Sequence, residues 1–384
     1  MPHKIHIAPP FEKDERIVLT LDAGGTKFSF SAMAGGKQVV HPIEFPSHGD
    51  DLDKCLKTLV GGFAEIQSRL HSKPAAISFA FPGPAWYKEG IIGDLGNLPA
   101  FRGGVPLGPM LAKQFGVPVF INNDGDLFTL GEAVGGFLPE MNRHLVHADS
   151  TRQYKNLVGF TLGTGFGGGI ARGGELHTGD NSAAGEVWLM RNPLYPQSFI
   201  EESISIRALR RVYKEHCRIG YRDGLTAKEI FQIAKGEIAG DASAAAKGFA
   251  ELGSALGDAI ATAVTLVDSL VVIGGGLSNA WELFVPAMLR SVRSRLKAVD
   301  SERSVARLEV EAFDVEDKSG YETFLKGHFK TVSVPGSDEK ITFDTMKATA
   351  IGRSRLGTSA AVSLGAYVFA MKQLKPSAQP THPL

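Results

Sequence analysis

Three short glycine clusters constrain this chain more than any other feature. They are Asp22-Ala-Gly-Gly-Thr-Lys27, Gly163-Thr-Gly165 and Gly274-Gly-Gly276, and each directly follows an apolar, β-rich run. A glycine turn at a strand end brings backbone N–H groups close to a ligand with no Cβ in the way, which is what a phosphate needs. One such turn is ordinary, because glycine is the default turn residue. Three, each after a strand, point to a nucleotide held by strand ends. The 45 glycines are an excess gathered in such clusters rather than in low-complexity tracts, so they mark places where backbone comes close to something.

Two familiar phosphate sites do not fit. Gly163, Gly165 and Gly168 have the spacing G-x-G-x-x-G, but the dinucleotide fingerprint opens a helix there. The stretch Gly167-Gly-Gly-Ile-Ala-Arg-Gly-Gly174 is a poor helix. The pattern G-x-x-x-x-G-K-[ST] does not occur. Residues 17–21 and 28–33 instead read as a hairpin around the first cluster, and 157–162 with 167–171 as strand, turn and strand around the second. Two halves thus begin alike. Strands are expected at 75–81, 117–121 and 269–273. Helices are expected at 52–70, 125–134, 249–268, 281–296 and 356–374. Residues 1–15 read as a loose leader. The 300–350 stretch reads only as a hairpin, 328–334 with 340–343.

At 384 residues the chain exceeds the roughly 250–300 residues at which one core stops growing, so two lobes are expected. Lys+Arg and Asp+Glu both number 41, so net charge suggests no nucleic-acid or membrane partner. Cys55 and Cys217 have no cysteine or histidine at zinc spacing, and neither a disulfide scaffold nor a structural zinc is expected. Charged residues follow the first ten at once, and the apolar run 356–371 is short and rich in small residues. No signal peptide or membrane span is expected, and the location expected is the cytoplasm.

Two carboxylates carry the chemistry. Asp22 ends a strand beside a phosphate-type turn; phosphate would repel it unless Mg²⁺ lay between them. Lys27 could add a cation near phosphate or stay solvated. Asp124 ends a strand and opens a helix. Phosphoryl transfer to a hydroxyl needs one carboxylate to take the hydroxyl proton, and a helix N-terminus keeps that carboxylate ionised. The same residue could simply cap the helix. Asn123 could orient a polyol, and Asp126 reads as a first-turn helix acid. Glu186, amid small residues, suits an acceptor for sugar hydroxyls or a surface turn. His177 and the other histidines show no metal-binding spacing.

In this order the motifs resemble the ROK family (repressors, open reading frames and kinases) of the actin-like ATPase superfamily. The likeness spans about 16–290 plus the last helix. It rests on Asp22-Ala-Gly-Gly-Thr-Lys27, Ile121-Asn-Asn-Asp-Gly-Asp126 with Leu130-Gly-Glu132, Thr161-Leu-Gly-Thr-Gly-Phe-Gly-Gly-Gly-Ile170, Ala183-Ala-Gly-Glu186 and Val271-Val-Ile-Gly-Gly-Gly276. It implies an α/β, two-lobed, ribonuclease H-like fold with a cleft. The lobes would be 16–135 plus 356–384, and 136–355 with an atypical 300–350 insertion. It implies ATP and Mg²⁺ as cofactors and phosphorylation of a hexose or N-acetylhexosamine at the 6-hydroxyl, with Asp124 as base. Asn97, Asn123, Glu186 and Glu201 would bind the sugar. Gly24, Gly25, Thr26, Lys27, Gly163, Thr164, Gly165, Gly275 and Gly276 would hold the nucleotide, with Asp22 toward the metal. A homodimer is also implied.

The chain departs from the family pattern. Leu189 stands where many members carry a sugar-binding His, the zinc cysteines do not follow, Asn122 replaces a Glu and Asp126 an Asn. A sugar-responsive sensor without catalysis is therefore the alternative, although about 15 residues before the first strand leave no room for a DNA-binding module. A nucleotide-driven chaperone or filament protein fits the sugar-loop residues less well.

Overall fold

The structure, a computed structural model, describes residues 11–374. Most of the leader expected at 1–15, and residues 375–384 of the first lobe's closing segment, lie outside the described residues.

The first half runs β1 (Val18–Ala23), β2 (Lys27–Ala34), β3 (Lys37–Pro46), α1 (Leu52–Ser68), β4 (Ala76–Ala80), a ribbon of β5 (Ala85–Trp86) and β6 (Ile91–Ile92), α2 (Leu107–Phe115), β7 (Val119–Asn122), α3 (Asp124–Gly135) and α4 (Phe137–His147). Its sheet has the order β3-β2-β1-β4-β7, with β1–β2–β3 antiparallel and β4 and β7 parallel to β1. The hairpin expected around the first glycine cluster is present. Helix α1 forms because Asp51 caps it, accepting from the Lys54 N–H, and because Cys55, Leu59, Phe63 and Ile66 make one buried face. That face meets Phe30 and Phe79, with ring centroids 5.1 and 5.7 Å from Phe63.

The second half runs β8 (Asn156–Leu162), β9 (Phe166–Arg172), β10 (Glu175–Leu176), α5 (Ile206–His216), α6 (Ala227–Ala234), α7 (Ala242–Val267), β11 (Leu270–Gly274) and α8 (Trp281–Val292). There follow the pair β12 (Arg295–Lys297) and β13 (Ser304–Ala306), then β14 (Glu311–Asp314) and α9 (Lys318–Lys326). The ribbon of β15 (Phe329–Ser333) and β16 (Lys340–Asp344), then β17 (Ala348–Arg353) and α10 (Thr358–Gln373), complete it. The sheet order is β10-β9-β8-β11-β17-β14. Strands β8 and β9 are antiparallel, while β11, β17 and β14 continue in parallel. Hairpin plus parallel strands therefore occurs twice, which is the duplicated, actin-like α/β arrangement. Helix α7 is long and apolar enough to cross a membrane, but residues such as Ala245, Leu252, Leu256 and Ile260 are buried in the second core.

Helices α3 and α10 lie between the sheets. Residues of α10 share a cluster with Val18 and Ala76 of the first sheet, and Leu127 and Phe128 of α3 pack with Leu157 and Leu270 of the second. The two helices cross backbone to backbone. A Cβ on Gly131 would fall 2.0 Å from the Ala361 carbonyl oxygen, and one on Gly365 would fall 1.9 Å from that of Leu127.

Several segments differ from the sequence reading: helices α2, α4, α5, α6 and α9 are unexpected, and α7 begins at Ala242 rather than 249. The helix expected over 281–296 stops at Val292, because the chain turns to pair Arg295–Lys297 with Ser304–Ala306. Strand β3 is unexpected because it is a largely exposed edge with no clean alternation. The 300–350 stretch does contain the expected hairpin, β15–β16, but β14 and the start of β17 belong to the main sheet. Strand β17 is nearly all buried, yet Ala348-Thr-Ala-Ile-Gly-Arg353 has one large apolar residue to announce it.

Candidate active site

A cleft of about 1120 Å³ opens between the two halves. Asn123, Asp124, Gly163, Thr164, Gly165, Glu186, Glu201 and Gly275 all line it, so one cavity gathers residues far apart in sequence.

The second glycine turn joins β8 to β9. The Gly163 N–H donates to the Gly165 carbonyl at 3.0 Å, and Thr164 stands exposed at the tip. Glu201 braces this turn from behind: its Oε2 accepts the Phe166 N–H at 2.9 Å, and a Cβ on Gly165 would fall 2.6 Å from that oxygen. Arg207 lies 3.5 Å from its other oxygen. The glycines that follow serve packing. A Cβ on Gly125, at the head of α3, would fall 2.5 Å from the Gly168 carbonyl oxygen, so helix and strand meet there without side chains.

The third turn follows β11. Gly275 has φ +86° and donates its N–H to Thr358 Oγ1 at 3.0 Å, at the start of α10. A Cβ there would fall 2.3 Å from the Leu162 carbonyl oxygen. Gly275→Ala therefore combines a left-handed backbone, which costs an L-residue about 1–2 kcal/mol, with a clash against backbone that cannot give. Thermal or urea unfolding should show a loss of at least about 2 kcal/mol; unchanged stability would mean that the turn relaxes freely.

The first turn is arranged differently. The Gly24 N–H donates to the Lys27 carbonyl at 3.0 Å, and Ser47 Oγ donates to the Gly25 carbonyl at 2.6 Å. The Asn97 carbonyl oxygen lies 3.6 Å from where a Gly25 Cβ would be. Gly24, Gly25, Thr26, Asn97 and Gly276 are not among the residues lining the cleft, although Gly96 is. Lys27 points elsewhere: its Nζ is 2.7 Å from Glu44 Oε1 on the neighbouring strand, both exposed. Asp22, exposed at the end of β1, borders a second cavity of about 490 Å³ with Thr20, Ser31 and Ser363.

Asn123, not Asp124, caps α3. Its Oδ1 accepts the Gly125 N–H at 2.8 Å. The capping reading of Asp124 is thus corrected: Asp124 is the first helical residue, because the extended backbone of Asn123 places that side chain over the first turn. Asp124 is open to solvent along the cleft but surrounded by protein on its other sides. That desolvation raises its pKa; backbone N–H groups, Gly125 first, oppose the rise, and the charge of nearby Asp22 adds to it. Asp126 is 5% exposed with Oδ1 unpartnered. Burial, then Glu186, then Asp124 push its pKa well above the usual carboxylate range.

Glu186 Oε2 accepts the Trp188 indole N–H at 2.5 Å. Tyr87, which no sequence pattern singles out, also lines the cleft. Its hydroxyl donates to the Phe81 carbonyl at 3.0 Å and receives Asn123 Nδ2 at 3.5 Å. Burial raises its pKa.

Comparison with known proteins gives the family. The ROK family matches residues 18–322. A crystal structure of a glucokinase from Parabacteroides distasonis ATCC 8503 is 49% identical, covers 95% of this chain and 100% of its own, and superposes with a TM-score of 0.84. An N-acetyl-D-glucosamine kinase of Vibrio vulnificus (strain YJ016) is 30% identical over 292 residues, 72% of this chain and 89% of that protein. A ROK family glucokinase from Streptomyces griseus, in complex with glucose and AMPPNP, shares the fold at 20% identity and a TM-score of 0.59, covering 93% of this chain and 99% of its own. The chain belongs to the ROK family, as one of its ATP-dependent sugar kinases.

Proposed function

We propose that the protein transfers the terminal phosphoryl group of ATP to the 6-hydroxyl of a hexose or N-acetylhexosamine, with Asp124 as the general base. One observation carries the reading: Asp124 opens onto the same cleft as the Gly163–Gly165 turn and Glu186. A phosphate against that turn and a sugar against Glu186 would both lie beside its carboxylate. Asn123 has its Oδ1 engaged by the helix cap, which leaves its amide as the donor toward a sugar hydroxyl. Asn97 would approach from the Gly96 side of the cleft. Glu201, engaged by the Phe166 N–H and Arg207, would act by bracing the phosphate turn.

Mg²⁺ fits the residues present. Among the described residues no group of three or more His, Cys, Asp or Glu is placed to hold a metal. Mg²⁺ bound with nucleotide needs only one or two carboxylates besides the phosphates. Asp22 lies near enough to Asp124 for its charge to act there, and it would hold the ion, which would neutralise charge on the phosphates. The first and third turns would close on the nucleotide as lobe 16–135 plus 356–384 moves against lobe 136–355, excluding water that competes with the sugar. A homodimer is part of this reading.

Glucose and N-acetylglucosamine are the first substrates to try, since relatives are named for each. A panel of hexoses and N-acetylhexosamines with Mg·ATP should give a 6-phosphate of at least one sugar. Sugar binding without turnover across the panel would instead support the sensor reading.

A further inference from the structure

The loop carrying Glu186 is clamped on both sides of that residue. Gly185 has φ +83° and lies against Gly168 and Gly169 of β9, where a Cβ would be 3.1 Å from the Gly168 carbonyl oxygen. Val187 is buried against Gly168, where the Cβ of any larger residue would come within 2.8 Å of it. The backbone of Glu186 is thus fixed, but its long side chain retains rotamer freedom that a bound ligand would have to remove. It also lies close enough to buried Asp126 for its charge to disfavour ionisation there. A fixed position for the carboxylate needs a counterweight to that freedom.

Trp188 supplies that counterweight. Its indole N–H donates to Glu186 Oε2 at 2.5 Å. The ring is held in turn by Phe199, edge to face, with centroids 5.7 Å apart. Glu186 Oε1 has no hydrogen-bond partner among the described residues, and both Glu186 and Trp188 line the cleft. Indole can donate but not accept, so the contact has one direction, and a hydrogen bond to an ionised acceptor is about twice as strong as a neutral one.

We propose that Trp188 is a positioning residue for sugar recognition: its indole N–H holds Oε2 of Glu186 so that Oε1 meets one hydroxyl of the sugar. This rests on the reading of Glu186 as a sugar-binding residue. Pre-ordering the carboxylate removes an entropic cost from sugar binding. Trp188 itself takes no part in phosphoryl transfer and does not touch the nucleotide.

The test is steady-state kinetics with Mg·ATP and the best sugar of the panel, on wild type, W188F, W188H, E186A and E186A/W188F. W188F keeps a ring for Phe199 and removes the N–H. It should raise the sugar KM on the order of tenfold, the effect of losing a hydrogen bond to a charged group, with the ATP KM unchanged and kcat little altered. W188H, which retains an N–H, should recover part of the loss; it also serves if W188F does not fold. In the E186A background W188F should add almost nothing, since the two residues act as one unit. An unchanged sugar KM in W188F, or the same fold-change with and without Glu186, overturns the proposal. An unchanged sugar KM in E186A refutes the parent reading instead, so the two failures are told apart.

Discussion

Asp124→Asn should lower kcat by at least ~100-fold, the usual contribution of a positioned general base. The fold and the affinity for nucleotide and sugar should be kept. The argument is geometric. Asp124 begins α3 rather than capping it, so the helix end engages only its Oδ1, which accepts the Gly125 N–H at 2.9 Å, and the carboxylate opens on the cleft. The amide is nearly isosteric and Asn123 still caps, so a folding defect is not expected. The pH profile gives a second reading of the same group. A base must be ionised, so activity falls as pH drops through its pKa. Desolvation on its protein-facing sides raises that pKa, and the acid limb should therefore lie above the ~3.9 of a free aspartate. A near-normal turnover rate in the Asn variant removes Asp124 from the mechanism.

Glu132→Ala should destabilise the protein by at least about 3 kcal/mol, since hydrogen bonds to a buried charge contribute about 1.5–3 kcal/mol each and the orphaned donors cost more. Glu132 sits in the last turn of α3, fully buried. Its Oε2 accepts the Phe137 N–H at 2.7 Å, at the start of α4. Its Oε1 accepts Ser354 Oγ at 2.5 Å, the Leu356 N–H at 3.0 Å and the Arg355 N–H at 3.1 Å, in the segment that leads into α10. One carboxylate therefore ties three helices where the chain crosses from the second sheet back toward the first. Burial raises its pKa and these donors pull it down. Removing it leaves one buried donor, the Phe137 N–H, and three part-buried ones without this acceptor. Arg355, paired with Glu140 at 2.7 Å and Glu316 at 2.6 Å, would lose its anchoring backbone. Glu132→Gln should fall between, because one amide NH₂ must then face a donor. Chemical denaturation of both variants measures the effect, and wild-type stability in the Ala variant would mean that the crossing is held by apolar packing alone.

Some of the site was legible because its cause is local. A glycine turn after an apolar run follows from short-range sterics, and so does a carboxylate where a strand gives way to a helix. Those signals located Asp124, the Gly163–Gly165 turn and Gly275, and the expected hairpin at β1–β2. Other residues carried no such signal. Tyr87 and Trp188 enter the cleft from irregular segments, where periodicity says nothing. Lys27 looked like a phosphate ligand by its place in the first cluster, yet strand pairing sets it beside Glu44. The glycines themselves divide by a distinction that sequence does not mark. Gly163 and Gly165 border a cleft, whereas Gly125, like Gly131 and Gly365, lets two pieces of backbone touch.

What the sequence by itself determined is the set of turns and the chemical kinds of side chain near them, because these depend on neighbours a few residues away. Tertiary structure alone decided which polar side chain caps, which braces and which keeps an oxygen free. Asn123 took the helix end, Glu201 took the Phe166 N–H and Glu132 took the crossing, and each choice depends on a donor's position in the folded chain. A carboxylate oxygen is available for chemistry only when no N–H has claimed it, and most of the donors that could claim it are brought within reach only when distant segments pack together.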